Sequence, residues 1–361
     1  MSHTLESAIF GHAFAWGGPA TAGRLRSCPE DFQVREELGF ELSGDGEHAF
    51  LYVQKRELNT PDLVQRISRL SGVAPRDIGI SGLKDRNALT CQWLSVGLAG
   101  KAEPDWSALE SDGDVRVLEV SRHQRKLRRG VHRGNRFTLV LRELQGERDA
   151  LEQRLEKLGA AGVPNYFGEQ RFGRGGSTLR QARQWMEQNG PRVSRNKRGL
   201  YLSALRAQLF NQLLSQRVSC ATWNVVLDGD VCMLQGTRSH FTCEQVDEQI
   251  AARAAAGDLH PALPLWGRGE SAAGVQRARQ QAECLAEQVA ECEFLQQAGL
   301  DMAWRAARVL ADDFCWCFCD DGSLQLDFAL GAGSYATALL GELVQYKEKR
   351  DTGSDKGSEQ G

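Results

Sequence analysis

The sequence predicts an α+β protein in which a mostly antiparallel sheet domain is interrupted by a helix-rich α/β insertion. Three observations carry that expectation. Up to about residue 145 the apolar residues alternate with period two in short runs, from about 147 they fall into helical stripes, and near 314 strand character returns. The 361 residues, 41% hydrophobic and 25% charged, suit a globular chain long enough for two domains, and neither a disordered nor a fibrous class. The expected boundaries are 1–160 and 306–350 for the discontinuous sheet domain, 161–305 for the insertion, and 351–361, rich in Gly, Ser and charge, for a disordered tail.

Taken in order, residues 32–34, 48–53, 115–120 and 137–141 fit half-buried strands. Thr60 as cap, Pro61 in the first turn and the stripe Leu63, Val64, Ile67 and Leu70 before Gly72 mark a helix. Residues 78–80 and 89–96 read as strands around the segment 81–88, which places Asp85 in a turn. In the insertion, Leu151, Leu155 and Leu158 form one helical stripe ended by Gly159, Gly162 and Pro164. Further helices are expected from Ser177 to near Gly190, from Ser203 through Leu214, and as one long element from Ser271 to Leu300. Strands at 314–318 and 324–330 and a helix from Ser334 complete the pattern.

A net charge of −3 argues against a nucleic-acid partner until its distribution is considered. Between Val120 and Arg142 there is no acid, while Arg122, Arg125, Lys126, Arg128, Arg129, Arg133, Arg136 and Arg142 are basic. Between Gln170 and Leu227 the one acid is Glu187, against Arg171, Arg174, Arg180 and seven further cations. Either run alone is an ordinary solvated face. Together, interleaved with His123, His132, Tyr166, Phe167, Phe172 and Trp185, they fit a surface that tracks phosphates and stacks on bases.

The ten cysteines occur without a secretion signal, and no run of about 18 apolar residues exists, so a cytoplasmic chain with reduced thiols and no export or membrane span is expected. Cys315, Cys317 and Cys319 alternate with aromatics, which suits a strand buried on both faces and lacks C-x-x-C metal spacing. Cys284 and Cys292 have no His near them to complete a ligand set. No metal site is expected, and neither H-E-x-x-H nor a hydrolase motif is present.

Two segments can carry chemistry. Gly173-Arg-Gly-Gly176 ahead of a helix offers backbone N–H groups to an anion, although loop flexibility explains it as well. Gly82-Leu-Lys-Asp85-Arg86 sets a carboxylate between two cations, Lys84 and Arg86, which would keep it ionised. The commoner use of such an Asp is to bond its own turn.

The stretch Gly82-Leu-Lys-Asp-Arg-Asn-Ala-Leu-Thr-Cys-Gln-Trp93 resembles the catalytic motif of the TruD family of tRNA pseudouridine synthases. Pro29-Glu-Asp-Phe32, Gly134-Asn-Arg-Phe137, Val163-Pro-Asn-Tyr-Phe-Gly-Glu-Gln-Arg-Phe-Gly173, and Phe328 with Gly333-Ser-Tyr-Ala-Thr337 resemble the family in the same order. The resemblance implies a pseudouridine-synthase-like sheet domain with a TRUD-type insertion. It further implies Asp85 as the catalytic nucleophile, Phe32, Asn135 and Phe328 lining a uridine pocket, and Phe137 where other synthases stack a Tyr. Arg26 stands where the family commonly has a Lys, which exchanges a point charge for a planar fork. The implied substrate is uridine 13 in the D arm of tRNA; the chemistry requires no cofactor or metal, and a monomeric enzyme is expected. Arg125, Lys126, Arg128, Arg129, Arg171 and Arg174 are the expected RNA contacts, and the insertion is expected to contribute to substrate choice. The competing expectation is a non-catalytic RNA-binding or chaperone protein that retains the fold; an RNA-directed hydrolase lacks its motifs.

Overall fold

The computed structural model describes residues 11–19 and 21–348, so the tail expected at 351–361 lies outside the described residues. The chain divides into two compact units. One comprises Thr21–Glu147, Ala311–Gly333 and the described residues Val344–Glu348; the other comprises Arg148–Leu310 with Ser334–Leu343 and the described residues 11–19. The α+β class expected from the sequence is the one observed.

The first unit is built on a ten-stranded sheet. Its strands before the insertion are β1 (Thr21–Leu25), β2 (Phe32–Leu38), β3 (His48–Arg56), β4 (Ile78–Ile80), β5 (Leu89–Gly97), β6 (Val115–His123) and β7 (His132–Gly146). The main path runs from a late strand, Asp312–Phe318, through Leu324–Gly331, β7, β2, β5 and β3 to β6, with β1 and β4 paired to β7 and β5 off that path. Pairing is antiparallel except for β2 with β5 and β1 with Val344–Glu348. One cross-strand row decides where chemistry can occur. Phe328 is registered with Phe137, Phe137 with Val34, Val34 with Thr90, and Thr90 with Lys55, so these side chains share one face.

On the β3–β5 half of that face lies helix α1 (Thr60–Ser71), which buries Leu63, Val64 and Ile67 against Leu51, Val53, Leu94 and Val96. Each such side chain contributes about 1.5–3 kcal/mol of burial free energy. Gly72, at φ 62°, ends the helix in the left-handed conformation. Thr60 is not its cap. Asn59 occupies that position without a side-chain cap bond, and Thr60 turns its hydroxyl to another use described below. Phe50, Trp93 and Leu127 cluster on the opposite face.

The second unit is helical with small sheets. Its helices are α2 (Arg148–Ala161), α3 (Ser177–Glu187), α4 (Arg195–Ser219), α5 (Glu248–Ala255), α6 (Val275–Cys284), α7 (Val289–Gln297) and α8 (Ala336–Leu343). Strand β8 (Val163–Pro164) pairs β13 (Arg308–Val309), while β9 (Val231–Leu234), β10 (His240–Thr242), β11 (Leu259–Leu265) and β12 (Ala303–Ala306) form an antiparallel sheet. Helix α4 is the core element: Leu205, Leu209, Phe210, Leu213 and Leu214 on its several faces pack among Phe172, Trp185, Trp223 and Leu295.

Several expectations are corrected here. The helix expected from Ser203 begins at Arg195, because Ser194 caps it by accepting from the Lys197 N–H. The single helix expected from Ser271 to Leu300 is two, α6 and α7, since the chain bends after Cys284 and buries both Leu285 and Leu295 in the core. Helix α2 continues through Gly159 and stops at Gly162, at φ 76°. The helix expected from Ser334 starts at Ala336. The cysteine strand exists as β14 (Asp312–Phe318), preceding β15 (Leu324–Gly331) and β16 (Val344–Glu348), but it is not buried on both faces. It lies at the sheet edge, its aromatics half-buried, with Phe314 6.1 Å from the Phe328 ring, and Cys315 and Cys317 in solvent. Among the described residues no helix is long and apolar enough to cross a membrane.

Candidate active site

The turn between β4 and β5 is held from beneath by side chains of three elements. The buried Lys55 of β3 donates from Nζ to the backbone carbonyls of Leu58 at 2.6 Å and Asp85 at 2.9 Å, with that of Lys84 at 3.5 Å. Thr60 donates its hydroxyl to Gln92 Oε1 of β5 at 2.8 Å and accepts the Lys84 N–H at 3.1 Å. Burial pulls the Lys55 ammonium down to about 8, helped by the Lys84 charge and opposed by that of Asp85.

Asp85 points its carboxylate to Arg26, whose Nη2 donates to Oδ2 at 2.8 Å. The Asp85 side chain is 36% exposed and that of Arg26 only 10%, so the pair is buried on the cation's side and open on the carboxylate's. Arg26 adopts φ 60°, an uncommon conformation for a side-chain-bearing residue, and lays its guanidinium 3.9 Å from the centre of the Phe32 ring. The flanking cations do not play the part expected of them. Lys84 turns away to an ion pair with Glu36 at 2.6 Å, both side chains almost wholly buried, and Arg86 is exposed.

From Arg26 the contacts continue as a row of rings. Phe32 meets Phe137 edge-on at 6.3 Å, and Phe137 stacks on Phe328 at 5.2 Å and 20°. All three rings are buried. Asn135 lies one row along the same face, registered with Glu36 on one side and Leu330 on the other. Among the described residues its Oδ1 is buried without a hydrogen-bond partner, a state that costs about 1–3 kcal/mol.

The structure thus brings together Arg26, Phe32, Asp85, Phe137 and Phe328, with Asn135 on the adjoining row. The sequence did not single out Lys55, Glu36 or Gln92, and it marked Thr60 only as a helix cap. Lys55 follows Leu51 and Val53, and Glu36 follows Phe32 and Val34, at inward-facing positions, so extending the alternation past Val34 and Val53 is the signal that could have found two charges aimed at the core.

The basic residues separate into two kinds. Arg125, Arg128 and Arg129 are exposed, and Lys126 donates to the Arg76 carbonyl at 2.6 Å. Arg171, in the other unit, is an internal brace that donates to Ser203 Oγ at 2.9 Å and the Tyr335 hydroxyl at 2.5 Å. Arg174 is exposed in the Gly173–Gly176 turn. That turn is less open to an anion than expected, because the N–H groups of Gly176, Thr178 and Leu179 already bond to Gly173 and Phe172 carbonyls. Among the described residues no group of His, Cys, Asp and Glu is placed to hold a metal.

The sequence model of the family described as tRNA pseudouridine synthase D (TruD) matches residues 11–181 and 177–343. The chain belongs to the TruD family. A relative named tRNA pseudouridine synthase D from Methylococcus capsulatus is 47% identical over 332 residues, covering 92% of this chain and 94% of that protein. One of the same name from Pseudomonas putida is 44% identical over 340 residues, 94% of this chain and 96% of that protein. A crystal structure from Methanosarcina mazei, of a protein described as a candidate TruD, superposes with a TM-score of 0.66 at 20% identity over 91% of this chain and 95% of that one, a likeness of fold. For a TruD family member, the Asp85 turn and the Phe32–Phe137–Phe328 row are the part of the sheet unit where a carboxylate, a cation and aromatic rings converge.

Proposed function

We propose that this chain is a tRNA pseudouridine synthase that isomerises uridine 13 in the D arm, with Asp85 as the nucleophile. The Arg26–Asp85 pair carries the reading: a carboxylate fixed by a buried guanidinium and by an anchored backbone, yet open on its outer side, is built to meet a substrate. Support also comes from the relatives named for this activity.

The reaction breaks the bond between uracil N1 and ribose C1′ and forms one between C5 and C1′; C5 loses its proton and N1 gains one. No electrons are exchanged and no water is consumed. The target base must first leave its stack. Asp85 then adds to C6 of the uracil or to C1′ of the ribose, or removes a proton from a sugar intermediate, and each route needs an ionised carboxylate beside a held base. Phe137 and its neighbours would hold the freed ring through their faces and edges, and the unpartnered Oδ1 of Asn135 suits the N3–H of uracil.

Tritium release from tRNA labelled at C5 of uridine tests the reading, with pseudouridine mapped in the product. Wild-type protein is expected to release tritium at position 13. Asp85→Asn should release none while binding tRNA within about tenfold of wild type, because phosphate contacts supply most of the affinity. Wild-type protein that binds tRNA without releasing tritium would be a non-catalytic RNA-binding protein of this fold.

A further inference from the structure

The turn that carries Asp85 also forms one wall of an open groove of about 560 Å³. Its floor is apolar, from Val64 of α1, Ile78 and Ile80 of β4, and Leu83; its far rim is the loop that bears Arg128 and Arg129, and no acid lines it. Leu83 is 64% exposed, so it contributes little to packing, and along the backbone it lies within about 7 Å of Asp85. Lys126 is engaged with the Arg76 carbonyl and Arg76 lies near Asp77, whereas among the described residues neither Arg128 nor Arg129 has a carboxylate within ion-pair distance.

The rim is fixed to the catalytic turn. Leu127 donates its N–H to Ser95 Oγ at 2.9 Å, and Gly130 donates to the Ser81 carbonyl at 2.8 Å. Gly79 of β4 faces this loop so closely that a Cβ there would collide with the Leu127 carbonyl oxygen and Ser95 Oγ. An exposed aliphatic side chain beside a preformed pair of guanidinium groups has the composition of a nucleotide seat, in which apolar surface meets a base and Arg meets the phosphates. A base that leaves its stack also strips its neighbour of a stacking partner, and an apolar surface beside Asp85 could replace it.

We propose that this groove seats the nucleotide adjacent to the target uridine, with its base against Leu83 and its phosphates on Arg128 and Arg129. The proposal rests on the synthase reading above. Two measurements on the full chain test it. Substituting both arginines, Arg128→Ala with Arg129→Ala, should weaken tRNA binding and lower the slope of log K against log salt by about 1.4–1.8. Leu83→Ala, with an unchanged melting curve, should slow single-turnover tritium release about tenfold. Photocrosslinking from 4-thiouridine placed next to the target should label the peptide containing Leu83 or that containing Arg128, and 4-thiouridine in the acceptor stem should label neither. An unchanged salt slope, or neighbour crosslinks that map elsewhere, overturns the groove assignment while wild-type tritium release stands. Absence of wild-type release removes the synthase reading instead.

Discussion

Lys55 holds Asp85 by its backbone: the buried ammonium donates to the Asp85 carbonyl oxygen at 2.9 Å, while the carboxylate beyond it is held by Arg26. Two cations therefore fix one residue from opposite ends. The first sets where the turn sits, and the second sets where the carboxylate points.

Loss of the lower anchor should cost rate and spare binding. Lys55→Met is expected to reduce single-turnover rate about 100-fold, the penalty of roughly an ångström of misplacement, with tRNA affinity unchanged. The same anchor responds to pH. Above about 8 the folded protein sheds the Lys55 proton, the ammonium loses a donor, and the rate should fall. The unfolded chain keeps that proton to about 10.4, so between these values it binds more protons and this group's contribution to stability rises with pH. Rate should thus fall through this window while the melting-temperature difference between wild type and Lys55→Met shifts in favour of wild type, and a rate that stays level to about pH 9 removes Lys55 from the anchoring role.

Asn135→Leu should separate stability from activity. It removes a buried acceptor that lacks a partner, so stability is expected to stay level or rise by about 1 kcal/mol, while kcat/KM falls by at least about tenfold through loss of a bond to the base. Urea unfolding and steady-state kinetics on one preparation check both. A fall in stability above about 2 kcal/mol would mean that Asn135 bonds within the protein.

Phe328→Ala should be limited by folding more than by chemistry. The ring is fully buried between Phe137 and Phe314, and its loss is expected to cost about 3–5 kcal/mol. Phe328→Leu keeps most of the volume and should retain most of the stability. If it also retains full kcat, the ring's aromatic face has no part in holding uracil.

Thiol and metal treatments should leave activity intact. Cys220, Cys315 and Cys317 are exposed and should be alkylated first, whereas burial pushes the Cys232 and Cys292 thiols up to about 12 and keeps them protonated at neutral pH. Mass spectrometry of partly alkylated protein checks the order. Exhaustive dialysis against EDTA is expected to change nothing; activity lost there and restored by zinc would show that a metal is needed.

The strands, helix α1 and the turn around Asp85 were legible because each is a local pattern: alternation, an apolar stripe between Pro61 and Gly72, a polar loop between apolar runs. The partners of Asp85 were not. Lys84 and Arg86 are its neighbours in sequence, yet Lys84 pairs with Glu36 and the carboxylate pairs with Arg26, 59 residues away. Such pairings follow from register, and the sequence shows that Glu36 and Lys55 face inward without showing what they meet. Cys315 and Cys317 failed for a related reason, since alternating apolar residues describe a buried strand and an edge strand alike. Arg171 belongs to a basic run but spends its guanidinium on Ser203 and Tyr335, and composition cannot separate a brace from a phosphate contact.

The row that joins Phe137 to Phe328 has a consequence for how the protein is made. These two strands are neighbours in the sheet but are separated in the chain by Arg148–Leu310, the main part of the helical unit. At cellular synthesis rates of about 5–20 residues per second, Phe328 leaves the ribosome roughly 10–40 seconds after Phe137. Through that interval one side of β7 has no β15 to pair with, and it presents Phe137, Leu139 and Leu141 along an unpaired edge. The nascent chain can fold its inserted helices meanwhile, but the ring wall cannot close before translation is nearly complete. A prematurely terminated product would lack that wall and carry an open strand prone to aggregation.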